Sequence, residues 1–143
     1  PVYIQNRYKN NGRKSKIHLQ VEEWLNNKNI NYTSEKVCKF NKYNDILQRK
    51  YNPRPDIIIE NKKIVIEIKG DYWHGNPRIY KKNDIVAKWM GEELVEDIWK
   101  FDLSRKNQIE SFGYRVIELW EYDILYNFDY VEELLCRELE LNQ

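Results

Sequence analysis

Ile17, Val21, Trp24 and Leu25 share one helical face behind Ser15, a favourable N-cap, so a first helix is predicted there, ended by the Asn-rich run 26–31. A strand is predicted within 32–40, and 41–52 reads as a polar loop or a short helix around Ile46 and Leu47. Two β-branched runs follow at 56–60 and 63–68, separated by Asn61-Lys62, which predict a hairpin whose strands are buried on both faces. Residues 70–91 hold Gly, aromatic and basic residues and predict a loop with a short helix at 86–90. Val95, Ile98, Ile109 and Phe112 follow helical spacing across 92–112, with acids crowding the first turns and Gly113 placed to end the helix. A strand at 114–120 and a last amphipathic helix from about Asp129, carrying Val131, Leu134, Leu135 and Leu139, complete the order. Helix, strand, hairpin, helix, strand, helix predicts an α/β or α+β layering, a small mixed sheet flanked by helices.

Composition narrows the class. At 143 residues, 41% hydrophobic and 14% aromatic, the chain fits one domain spanning 1–143 with its own core. Charged residues make up 33%, and no apolar run approaches the roughly 18 residues of a membrane helix, so a soluble intracellular, cytoplasmic protein is expected with no membrane partner. Cys38 and Cys136 are far apart and lack partners at ligand spacing, which predicts neither a disulfide framework nor a zinc ribbon. A start at Pro1 followed by basic residues reads as a fragment of a longer protein, with a separate DNA-binding region elsewhere.

The net charge of +1 conceals polarisation. Residues 1–90 carry 19 Lys plus Arg against 9 Asp plus Glu, and residues 91–143 carry 5 against 14. Arg13 and Lys14, with Arg78, Lys81, Lys82 and Lys88 later, form a candidate polyanion-binding face; the alternative is a solvated surface in a Lys-rich protein.

With Asn61-Lys62 as a two-residue turn, Ile59 faces Ile64, Ile58 faces Val65, Ile57 faces Ile66, and Asp56 faces Glu67. Directly opposed side chains stand about 5 Å apart, and like charges so placed destabilise the pair, so a compensating group is required. A divalent cation would serve, because Mg²⁺ favours carboxylate oxygens. Lys69 projects on the same face as Glu67. Alternatively the acids flank the hairpin and point to solvent. A tight turn prefers Asn-Gly, and Lys62 would need a positive φ.

Pro55-Asp56 followed by Glu67-Ile68-Lys69 resembles the PD-(D/E)xK nuclease signature. The continuation Gly70-Asp-Tyr-Trp73-His74, then Asp102, Gly113-Tyr-Arg-Val116 and Leu119-Trp120-Glu121, resembles the very-short-patch-repair (Vsr) endonucleases and the related phage homing endonucleases bearing an EDxHD motif, over roughly residues 15–122. The resemblance implies a restriction-endonuclease-like fold and hydrolysis of double-stranded DNA with Mg²⁺ or Mn²⁺ held by Asp56, Glu67 and the Ile68 carbonyl. It implies His74 as a proton-transfer residue and Asp102 as a further acid, and it is compatible with a homodimer and a phage-encoded source. On the helical stripe, Asp102 needs a partner, and an ion pair to Arg105 is the plain alternative. The family's helix-one glutamate aligns with His18, and Glu22 lies one turn on, so either enters the site. Tyr72 and Trp73 occupy the loop that wedges into DNA in the repair enzymes; here they wedge or pack on the second long helix, and Trp89 and Met90 are further candidates. The repair enzymes' structural zinc ligands align with Asp71, Asn76, Arg78 and Tyr122, so no structural zinc is expected. That loss favours the homing over the mismatch-repair reading, and a non-cutting nucleic-acid-binding domain on the same fold is the other alternative.

Overall fold

In the computed structural model, which describes residues 14–141, the Ser15 hydroxyl accepts the His18 N–H and caps helix α1 (Lys16–Asn27). Its apolar face of Ile17, Val21, Trp24 and Leu25 is buried as the spacing predicts. The strand expected over 32–40 is confined to β1 (Thr33–Ser34), because Glu35 turns into the left-handed region at φ 53° and takes the chain off the sheet. Residues 41–52 correct the expected loop or helix: they form an antiparallel hairpin of β2 (Lys42–Asn44) and β3 (Arg49–Tyr51). Buried Asn44 shapes its turn by accepting from the Ile46 and Leu47 N–H groups, while its amide donates to Ser104 and Gln108.

Strands β4 (Ile57–Ile59) and β5 (Ile64–Lys69) pair in the register inferred from the sequence: Ile57 opposite Ile66, Ile58 opposite Val65, Ile59 opposite Ile64. The turn differs. A 3₁₀ turn, Glu60–Lys62, replaces the tight two-residue turn, and the positive φ falls on Lys63 rather than Lys62. Lys63 is held there by Glu60 at 2.5 Å and by the Tyr114 ring.

After β5, the expected loop contains a short helix α2 (Asp71–His74). The helix expected at 86–90 is absent; β6 (Ile85–Lys88) and β7 (Gly91–Leu94) form an antiparallel hairpin instead. Ile85 is exposed and Val86 buried, the alternation of a strand, and Gly91 at φ 130° opens the turn after Trp89 and Met90. Helix α3 (Val95–Ser111) therefore begins three residues later than the spacing suggested, with Glu96 and Asp97 in its first turn and Gly113 at φ 92° beyond its end. Strand β8 (Arg115–Trp120) is followed directly by helix α4 (Glu121–Tyr126), unforeseen in the sequence, and then by α5 (Phe128–Glu138), close to the expected start.

The main sheet runs β1-β4-β5-β8, with β5 antiparallel to β4 and parallel to β8. Ile64, Ile66 and Ile68 alternate onto one face, packing with Val21 and Leu25 of α1 and Val131 and Leu135 of α5. Val65 faces Ile109 of α3 on the other. The result is a mixed α/β architecture with helices on both faces of a small sheet. Full burial of each isoleucine contributes about 1.5–3 kcal/mol, so β4 and β5 anchor the fold. Glu67 and Lys69 continue the Val65 face beyond the core, toward α3, at the carboxyl end of the parallel pair, where α/β sheets leave a crevice. No helix among the described residues is long and apolar enough to cross a membrane.

Candidate active site

A cavity of about 380 Å³ opens at that end of β5. Asp56, Glu67, Ile68, Lys69, His74, Asp102, His18 and Lys14, all anticipated from the sequence, line it, together with Glu35, Arg105 and Glu118, which were not assigned to it. Asp56 precedes β4. Its Oδ2 accepts the Ile68 N–H at 2.7 Å, which fixes the carboxylate against the end of β5 and joins the two halves of the motif directly.

Asp56 and Glu67 interact as the register implied, and the opposing charge that meets Glu67 is Arg105. Its guanidinium bonds the Glu67 carboxylate and is braced by the Tyr51 hydroxyl at 3.0 Å. Glu67 is 7% exposed. Burial, with the Asp56 charge adding to it, pushes its carboxyl up to about 7 although Arg105 acts in the opposite direction. Arg105 was anticipated only as a partner for Asp102; it lies three residues on along α3 and turns toward β5 instead.

Asp102 is bonded to His74. The His74 Nδ1 stands 2.8 Å from Asp102 Oδ2, and the Lys69 ammonium is 3.6 Å from the same oxygen. Burial works to raise the Asp102 pKa, but His74, Lys69 and Arg105 outweigh it and hold the group below the usual carboxylate range. An ionised Asp102 has only lone pairs to offer, so Nδ1 carries the proton in this contact and Nε2 is the ring atom left for chemistry. Lys69 is further held by Glu118 of β8 and lies over the Trp120 ring at 5.3 Å. A fixed imidazole and a fixed ammonium therefore share one cavity wall with the Asp56 carboxylate.

The two helix-one candidates lie at different depths. His18, 4% exposed, lines the cavity, whereas Glu22 stands behind it with Oε2 at 2.8 Å from His18 Nε2. Lys14 and Ser34 also bond Glu22. Burial raises the Glu22 pKa, and these partners more than reverse that, leaving it lowered. Glu35 was missed because no local sequence signal marks it. It reaches the cavity through the β1–β4 pairing, and its N–H donates to the Asp56 carbonyl at 3.0 Å.

The candidate DNA-contacting residues divide. Lys14 is at the cavity; Lys81 and Lys82 are exposed in the loop after α2; Lys88 lies 5.5 Å over the Trp73 ring and 3.5 Å from Glu93. Arg78 is engaged by both Asp123 oxygens and stacks on Tyr122. Arg13 lies outside the described residues. Tyr72 packs with Val86, Val95, Ile98 and Trp99, and its hydroxyl accepts the Ala87 N–H, which is the packing alternative. Trp73 stands edge-on to Tyr72. Trp89 and Met90, at the tip of β6–β7, are 72% and 77% exposed. At the positions aligned with zinc ligands, Asn76 donates to Asp71 and Arg78 pairs with Asp123, so a polar network links α2 to α4.

No protein-family model matches the chain. It is similar to the type II nicking enzyme V.NmeAIP of Neisseria meningitidis serogroup A, with 27% identity over 94 residues, and the match covers 63% of this chain. The chain spans 60% of that enzyme's length. The likeness is a distant one, to a nuclease.

Proposed function

We propose that this chain is a divalent-metal-dependent DNA endonuclease domain of the restriction-endonuclease-like PD-(D/E)xK class, closest in kind to the Vsr-like homing endonucleases. The observation that carries this reading is the convergence of Asp56, Glu67, Lys69 and the His74–Asp102 couple on one cavity. The likeness to a nicking enzyme supports it.

Asp56, Glu67 and the Ile68 carbonyl are oxygen donors suited to Mg²⁺ or Mn²⁺. When bound, such an ion would neutralise charge on the phosphoryl oxygens and acidify a water. Lys69 places a positive charge where the pentacoordinate phosphate develops negative charge. His74, oriented through Nδ1 by Asp102, presents Nε2 for proton transfer. The attacking water oxygen bonds to phosphorus and the bond from phosphorus to the leaving sugar oxygen breaks. His74 Nε2, which keeps its lone pair while Nδ1–H is bonded to Asp102, takes the water proton, and the leaving oxygen takes a proton from solvent.

Incubation of supercoiled plasmid with Mg²⁺, Mn²⁺ or EDTA tests the reading. Metal-dependent conversion to open-circular or linear DNA is expected, and it should vanish in Asp56→Ala. An Asp56→Ala protein that cuts at the wild-type rate would overturn it. A second reading, a single-strand nicking enzyme, is favoured by the name of the similar enzyme, and action at mismatches by the resemblance to the repair enzymes. Accumulation of open circles without linear product, on mismatched duplexes in preference to matched ones, would select it.

A further inference from the structure

One donor atom from each of His18, Glu35 and Asp56 lies within 4.8 Å of the other two, close enough to share a cation. This trio comes from three parts of the chain: α1, the residue after β1 and the approach to β4. Each donor is positioned independently. Asp56 is held by the Ile68 N–H. Glu35 is turned by its left-handed backbone, and its carbonyl accepts the Arg54 Nε–H at 2.8 Å.

The histidine bears a second, independent mark of a ligand site. It is 4% exposed, and its Nε2 is bonded to Glu22, which is itself fastened by Lys14 and Ser34. A metal-ligating imidazole characteristically donates its other N–H to a carboxylate, which sets the tautomer and strengthens the lone pair that remains. With Nε2 so used, Nδ1 is the nitrogen left to coordinate, and it makes no hydrogen bond among the described residues. Had the helix carried a glutamate at this position, all the donors would have been hard oxygens. An imidazole changes the preference, because nitrogen donors favour first-row transition ions over Mg²⁺.

We propose that His18, Glu35 and Asp56 are the protein ligands of a transition-metal ion of the Mn²⁺ or Co²⁺ type, with Glu22 as the positioning residue for His18. The proposal rests on the nuclease reading above for the use of the ion, but not for its binding.

Calorimetric titration of metal-free protein with MnCl2 and MgCl2 tests it, alongside His18→Ala and Glu35→Gln. Wild type should bind Mn²⁺ at least about tenfold more tightly than Mg²⁺. His18→Ala should lose at least about tenfold in Mn²⁺ affinity with a much smaller change for Mg²⁺, and Glu35→Gln should weaken both ions. Pulsed electron paramagnetic resonance on wild type with bound Mn²⁺ should show a coupled nitrogen, a readout that needs no variant to fold. Absence of that coupling, a wild-type preference for Mg²⁺, or Mn²⁺ affinity unchanged in both variants would overturn the site. Plasmid cutting by the same samples separates the two readings. Cutting with Mn²⁺ affinity indifferent to both variants refutes this site alone, whereas variant-sensitive Mn²⁺ binding without cutting in any metal supports the site and refutes the nuclease.

Discussion

Replacing Arg105 with Met keeps the hydrocarbon stem but leaves Glu67 buried beside Asp56 with no guanidinium. In the wild type Glu67 already ionises near 7 rather than at 4.5, a displacement of about 3 kcal/mol against the charged form at 1.36 kcal/mol per pH unit. Because the folded pKa lies above the unfolded one, this group's contribution to stability is fullest below pH 4.5 and is lost as pH rises to about 7. Removing Arg105 should push the folded pKa higher still. The extra cost therefore appears above pH 7 and grows by no more than about 1.36 kcal/mol per pH unit, because Glu67 can take up a proton instead of standing charged, which makes about 1.4 kcal/mol at pH 8. At pH 5 wild-type Glu67 is mostly protonated and Arg105 has little charge to meet, so the difference should shrink to the packing and Tyr51 contributions. Urea unfolding of both proteins at pH 5 and pH 8, with EDTA present, measures this. Glu67→Leu added to Arg105→Met should recover most of the loss at pH 8, since the uncompensated charge disappears. An equal loss at both pH values would refute the view that Arg105 compensates the Glu67 charge.

Three further outcomes follow from the geometry. His74→Ala should lower kcat by about 10²–10⁴ with little change in DNA affinity, as loss of a proton-transfer group does, and quantitative nicking assays with binding measured in parallel would show it. Asp102→Asn should reproduce much of that loss while His74 remains, and its stability deficit relative to wild type should fade as pH falls below about 4: Asp102 is held below its ordinary pKa, so its contribution is present above the unfolded value and disappears once the folded group protonates. Trp89→Ala, at the tip of β6–β7, should weaken DNA binding and abolish unstacking of a 2-aminopurine reporter near the cut; unchanged reporter fluorescence would mean that this tip does not enter the duplex.

What the sequence disclosed divides by how local its cause is. The register of β4 and β5 was legible because three isoleucines on one strand and Ile64, Val65 and Ile66 on the other allow few pairings, and that register alone brings Asp56 to Glu67. The turn was misread for a reason of backbone conformation, not of pattern: a 3₁₀ turn moves the left-handed residue to Lys63, yet it preserves every pairing beyond it. Helical spacing likewise placed Asp102 and Arg105 together on α3 but could not say which would face His74 and which Glu67, since that depends on how α3 lies across the sheet. The hairpins were lost because their strands are short and mostly exposed, so one buried residue each, Asn44 and Val86, carries nearly all the signal. Glu35 is the limiting case. Its neighbours are polar, and its place depends on a two-residue strand pairing with β4 and a left-handed backbone turn, so only the three-dimensional path of the chain sets it beside Asp56 and His18. A site assembled from an α1 histidine, a glutamate just after β1 and an aspartate just before β4 has no linear spacing to find, whereas the β5 motif, the same site's other half, is almost wholly linear.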